Sequence, residues 1–130
     1  MAITFQSEMQ GGLLLVTASG RDENLQQVID YGTSVITLAI ESGATHVLCD
    51  ERNLDYALDT LDTFQAAQAI AERAPKVPRV AIVCQPKFLE EGKFWETVAV
   101  NRALPVRVDT DIVRARAWLA LDPFAPGTPM

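Results

Sequence analysis

The chain has 130 residues, 48% of them hydrophobic, with 11 Lys and Arg against 17 Asp and Glu for a formal net charge of -6. That length suits one hydrophobic core, and that apolar fraction removes the need for metal or disulfide staples and argues against disorder. The acidic balance and the scattered basic residues argue against nucleic-acid binding, because phosphate contact needs clustered Lys and Arg.

Ile3, Phe5 and Met9 alternate with polar residues and predict a first strand with one wet face. Gly11-Gly12 allows a tight reversal into a more buried second strand, Leu13 to Ala18, so the chain is expected to open as an antiparallel hairpin. From Asn24 the period changes. Leu25, Val28, Ile29, Gly32, Val35, Ile36 and Ala39 recur at helical spacing, with Asp22 or Asn24 as the cap and Gly43 as the stop.

A third strand follows from Thr45 to Asp50, running into the acid-rich stretch Glu51-Arg52-Asn53, which is expected to be a loop. Asp59 or Thr60 caps a second helix carrying Leu61, Phe64, Ala67 and Ala71, with Pro75 and Pro78 at its end. Val80 to Cys84 is apolar on both faces, as a central strand covered on both sides would be. Gln85-Pro86 breaks it. A third helix is expected from about Glu91 to Ala103, a short fifth strand from Pro105 to Val108, and a last helix capped by Asp109 or Thr110 with Ile112, Ala115, Trp118 and Leu119 inward. The order ββαβαβαβα implies an α/β domain over residues 1–121. Its mixed, mostly parallel five-stranded sheet carries four helices, and a Pro-rich irregular tail follows over 122–130.

The closing segment reads Asn101-Arg102, then Pro105-Val106-Arg107-Val108, then Asp109-Thr110-Asp111 and Ala115-Arg116-Ala117-Trp118-Leu119. With the opening hairpin and the alternating units, it resembles the STAS domain and its SpoIIAA-like relatives, among them the bacterial anti-sigma factor antagonists. The resemblance implies a strand–helix superhelix with consecutive strands side by side, and a non-enzymatic regulatory role exercised through contact with another protein. It also implies a phosphorylatable Ser after the third strand. The matching stretch here, Cys49 to Tyr56, contains neither Ser nor Thr, so the chain reads as a divergent member without that switch.

Other chemistry is sparse. His46 is the only histidine, and the glycines match neither a P-loop nor a dinucleotide fingerprint. Asp50, Glu51, Asp55, Asp59 and Asp62 cluster, yet no His or Lys completes a catalytic set. They read as caps and solvated charges, and no catalytic residue, metal or cofactor is expected. Cys49 and Cys84 end apolar runs and read as free, packed thiols.

Two candidate surfaces remain. Asp50, Glu51, Arg52 and Asn53 would give a protein partner polar recognition, with Leu54 and Tyr56 as apolar anchors. The alternative is a small apolar ligand or lipid, held in a pocket lined by Phe88, Phe94, Trp95 and Trp118 near the third helix. Phe94 and Trp95 are adjacent and point about 100° apart, so they cannot share one core stripe. Phe124 in the tail is a further candidate to cover that surface. No apolar stretch is long enough to span a membrane, and the amino terminus has no signal-like core, so a cytoplasmic location is expected. An edge strand or exposed aromatics would allow homodimerisation.

Overall fold

A computed structural model describes residues 2–73 and 79–120. The expected stops at Pro75 and Pro78, the tail over 122–130 and Phe124 lie outside the described residues. Strands β1 (Thr4–Gln10), β2 (Leu13–Asp22), β3 (His46–Tyr56), β4 (Val80–Val83) and β5 (Val106–Asp109) form one sheet in sequential order. Only β1 is antiparallel to its neighbour; β2 to β5 run parallel. Helices α1 (Leu25–Ser42), α2 (Thr60–Glu72), α3 (Leu89–Val100) and α4 (Ile112–Leu119) supply the crossovers. The α/β class and the order read from the sequence both hold.

The local signals explain most of this. Gly11 turns the β1–β2 hairpin with φ 64°, a left-handed conformation that costs glycine nothing. Asn24 caps α1 by accepting from the Gln27 amide at 3.0 Å, and Gly43 ends it at φ 70°. Asp59 caps α2 by accepting from the Asp62 amide at 2.8 Å. The last helix departs from expectation. Its cap is Asp111, which accepts from the Val113 amide at 2.8 Å. Asp109 accepts instead from the amides of Thr110 and Asp111 and from Arg114, and that guanidinium holds its carboxyl down at about 2.

Two boundaries move for physical reasons. Helix α3 starts at Leu89, because a 3-10 turn over Pro86–Phe88 leads straight into it, and it ends at Val100. Ala103, at φ 69°, reverses the chain after it, and the Leu104 amide returns to the Ala99 carbonyl at 3.1 Å. Strand β3 runs six residues past Asp50, where a loop is expected. Its pairing with β2 continues from Ser19↔Asn53 through Asp22↔Tyr56, and Gln85 ties its far end to the end of β4 by donating to the Leu54 carbonyl at 3.2 Å and to Asp55 at 2.9 Å. Ladder bonds and this bridge override the poor strand preference of Asp, Glu and Asn.

The sheet buries both faces. Helix α4 covers one, packing Ala115 and Leu119 on Leu48, Ala81 and Val83. Helices α1, α2 and α3 cover the other over Val16, Val47, Cys49, Ile82 and Val108. Strand β4 is buried along its whole length, as an apolar central strand must be.

Candidate functional site: a cavity beneath three helices

The helix-rich face of the sheet is not completely filled. A cavity of about 110 Å³ lies between β3 and helices α1, α2 and α3, lined mainly by apolar side chains that include Val28, Val35, Ile36, Ile70 and Trp95. Close-packed interiors rarely leave voids larger than a water molecule, so a space of this size in a small domain calls for an explanation. Glu91, which is exposed, lines it as well and marks its mouth.

One end of the cavity is polar. Alternation along β3 puts Val47, Cys49 and Glu51 on the inner face. Leu54 also lines the cavity, three residues later, which strict alternation forbids. A bulge resolves this: between Thr17↔Asp50 and Ser19↔Asn53 the third strand spends one residue more than the second. Glu51, Leu54 and Tyr56 therefore share the cavity face.

Glu51 is 6% exposed and is held by two tyrosines. Tyr31, from α1, donates to Oε2 at 2.7 Å, and Tyr56 donates to Oε1 at 2.5 Å. Burial pushes the Glu51 carboxyl up to about 7, even though both hydroxyls favour its charged form. The same burial and the nearby carboxylate push both phenols well above their ordinary value. Asp22, at the end of β2, also lines this end, accepts a hydrogen bond from the Ala57 amide, and is raised to about 6 by burial. Two aromatic contacts brace the tyrosines. Phe5 meets Tyr31 edge-on at 5.6 Å, and Phe88 lies 5.4 Å from Tyr56.

The six candidate docking residues are divided between two faces. Glu51, Leu54 and Tyr56 turn inward, with Leu54 only 2% exposed. Asp50 points to the opposite side, where Arg52 donates to it through Nε at 2.8 Å and Nη2 at 2.7 Å and lowers its pKa. Arg52 and Asn53 are exposed.

The four candidate pocket aromatics are likewise dispersed. Trp95 lines the cavity, Phe88 stands behind Tyr56, and Phe94 is exposed. Trp118 belongs to the α4 face, where the Arg79 guanidinium sits 5.1 Å above its ring and donates to its carbonyl at 2.6 Å.

Tyr31 and Asp22 are the members that sequence reasoning missed. Tyr31 sits on the same helix stripe as Val28 and Val35, so its position was readable although its role was not. Nothing local marks Asp22 as inward. Cys49 and Cys84 are free and buried, and burial raises the Cys49 thiol above its ordinary value. Among the described residues no group of three or more His, Cys, Asp or Glu is arranged to hold a metal ion, and no helix is long and apolar enough to cross a membrane.

No family model matches the chain, and no curated protein matches it in sequence. Solved structures do match. An anti-sigma factor antagonist from Mycobacterium paratuberculosis superposes with a TM-score of 0.60 at 13% identity, over 91% of this chain and 94% of that one. An uncharacterized protein of the DUF3478 family with a SpoIIAA-like fold, from Shewanella loihica, superposes with a TM-score of 0.51 at 21% identity, over 92% and 94%. At these identities the likeness is one of fold, and it agrees with the strand order and the opening hairpin: the chain has a SpoIIAA-like fold.

Proposed function

We propose that this protein is a non-enzymatic, STAS-like regulatory domain that responds to a small, largely apolar ligand held in the cavity under α1, α2 and α3. The observation that carries this reading is the cavity itself. Closing a void of about 110 Å³ would be favourable for a purely structural core. Instead it is kept open, with a buried Glu51–Tyr31–Tyr56 cluster at one end and a mouth at Glu91. An apolar chamber with a few convergent polar groups is the usual form of a small-molecule site.

The test is a titration with small apolar compounds followed by Trp95 fluorescence, in the parent protein and in Val28→Phe. Val28 is half-buried and lines the chamber, so the larger ring takes up its space. Saturable quenching in the parent, lost in Val28→Phe with folding intact, supports the proposal. No saturable response in the parent refutes it.

A second reading concerns the output, and the fold likeness to an anti-sigma factor antagonist favours it: contact with a protein partner. Because Glu51, Leu54 and Tyr56 face inward, the surface we propose is Arg52 and Asn53 together with Leu61, which is 62% exposed in the first turn of α2. Arg is among the residues enriched as interface anchors, and the exposed Leu61 adds apolar area that a partner can cover. Co-purification from native lysate with the parent but not with Arg52→Ala/Leu61→Ala supports this surface; equal recovery with both argues against it. The chain lacks Ser and Thr between Cys49 and Tyr56, so the proposed switch is the ligand and not a phosphoserine. A cytoplasmic location is part of the proposal.

A further inference from the structure

Among the described residues lining the cavity, three are acids, Asp22, Glu51 and Glu91, and none is Lys, Arg or His. Two of the acids are 7% and 6% exposed, so their carboxyls are directed into the protein and not into bulk water. Asp22 adds to the burial that raises the Glu51 carboxyl, and although Arg21 acts on Asp22 in the opposite sense it does not line the chamber, so this end presents acids and no lining cation. Glu51 has acceptor capacity to spare. Each of its oxygens takes one tyrosine hydroxyl, leaving further lone-pair sites on both. Tyr31, Tyr56 and Trp95 also line the chamber, and aromatic rings attract cations.

We infer that the cavity selects a primary amine with a compact apolar body, its ammonium received by Glu51 and Asp22 and its body lying among Val28, Val35, Ile36 and Ile70. This deepens the ligand-binding function proposed above and rests on it. The charge pattern works against the commonest alternative. A fatty acid or any other carboxylate would bring a third negative group to a buried acidic pair, and like charges in a low-dielectric site repel strongly. A neutral alcohol or hydrocarbon would fill the chamber but leave the acidic end without a donor of full charge.

Volume limits the body. An engineered apolar cavity of about 150 Å³ accepts benzene. A chamber of about 110 Å³ therefore suits a single ring or a short branched chain, with any longer substituent leaving past Glu91. The reach from ring to charge is short, so arylmethyl- and cycloalkylmethylamines fit better than long-chain amines.

Three near-isosteric probes separate the possibilities: benzylamine, benzyl alcohol and phenylacetate, titrated at pH 7.5 against the whole protein with Trp95 fluorescence and calorimetry as readouts. Benzylamine is expected to bind at least about tenfold more tightly than benzyl alcohol, as a charge-assisted hydrogen bond should, and phenylacetate more weakly than either. In Glu51→Gln the advantage of the amine over the alcohol should shrink to about threefold or less. Asp22→Asn, expected to reduce it in part, serves if Glu51→Gln does not fold. Equal binding of amine and alcohol, or tighter binding of phenylacetate, overturns the amine assignment while leaving an apolar ligand site. Absence of saturable binding by all three probes overturns both.

Discussion

Replacing Glu51 by Gln tests whether this buried carboxyl is kept in the core at a thermodynamic cost. In the folded protein its pKa is raised from 4.5 to about 7, chiefly by burial. A raised carboxyl binds its proton more tightly folded than unfolded, so stability falls as pH rises between the two values. The contribution is fully present below about pH 4.5 and gone above about pH 7. The displacement corresponds to about 3 kcal/mol, of which about 1 kcal/mol is lost between pH 6 and pH 8.

Glutamine keeps the size of the side chain and can still accept from one tyrosine, but it does not titrate. Asp22, raised from 3.8 to about 6, acts in the same direction and remains in the variant, so both proteins lose stability as pH rises from about 4 through 6. From pH 6 to 8 the variant has only the remainder of the Asp22 contribution to lose, whereas the parent loses that of Glu51 as well. Urea unfolding followed by tryptophan fluorescence at pH 5, 6, 7 and 8 gives the comparison. Against the parent, Glu51→Gln should gain about 1 kcal/mol over the upper half of the range. Parallel curves for the two proteins from pH 6 to 8 would refute the buried, proton-linked carboxyl.

Other expectations follow from the same contacts. Tyr56→Phe, and separately Tyr31→Phe, removes one of the two donors to Glu51. Each should cost about 1.5–3 kcal/mol at pH 8 and less at pH 5, where a protonated carboxyl needs the donor less, as urea midpoints at the two pH values will show. Leu48→Ala empties a fully buried site between the sheet and α4 and should cost about 3–5 kcal/mol by the same assay. Gly20→Ala should be severe for its size. Gly20 has φ 108° and its missing Cβ would meet the Ala2 carbonyl, so a loss of about 2 kcal/mol or more in thermal or urea unfolding is expected, with β1 detaching first in hydrogen exchange.

The fold was legible because its signals are local and agree with one another. Gly11, Asn24, Gly43 and Asp59 each mark a boundary by a mechanism that acts within a few residues, and the apolar run Val80 to Cys84 allows little but a central strand. The site was less legible. The stretch Asp50 to Tyr56 carries the composition of a loop, yet it is strand, because β2 and Gln85 supply partners that no local pattern reveals. That error reassigned three docking residues at once: extending the strand, with its bulge, turned Glu51, Leu54 and Tyr56 inward. Trp95 was recognised beside a pocket, but Trp118 was grouped with it because helix periodicity fixes which side of a helix is apolar and not which face of the sheet that helix covers. Only the crossover of α4 to the other face separates them.

The acidic end of the cavity illustrates what tertiary structure adds. Asp22 and Tyr56 come from the ends of β2 and β3, Glu51 from the middle of β3 and Tyr31 from within α1, and none has a motif that links it to the others. Parallel pairing of β2 and β3 brings Asp22 opposite Tyr56, and the packing of α1 on the sheet delivers Tyr31.

The most direct test of the ligand cavity is a heteronuclear NMR titration of the isotopically labelled protein with benzyl alcohol and benzylamine. Saturable shifts should concentrate on Val28, Tyr31, Glu51, Leu54 and the Trp95 indole, with the Trp118 indole on the far face of the sheet unmoved. Shifts that fail to saturate, or that gather around Trp118 and α4, would contradict a ligand site beneath the three helices.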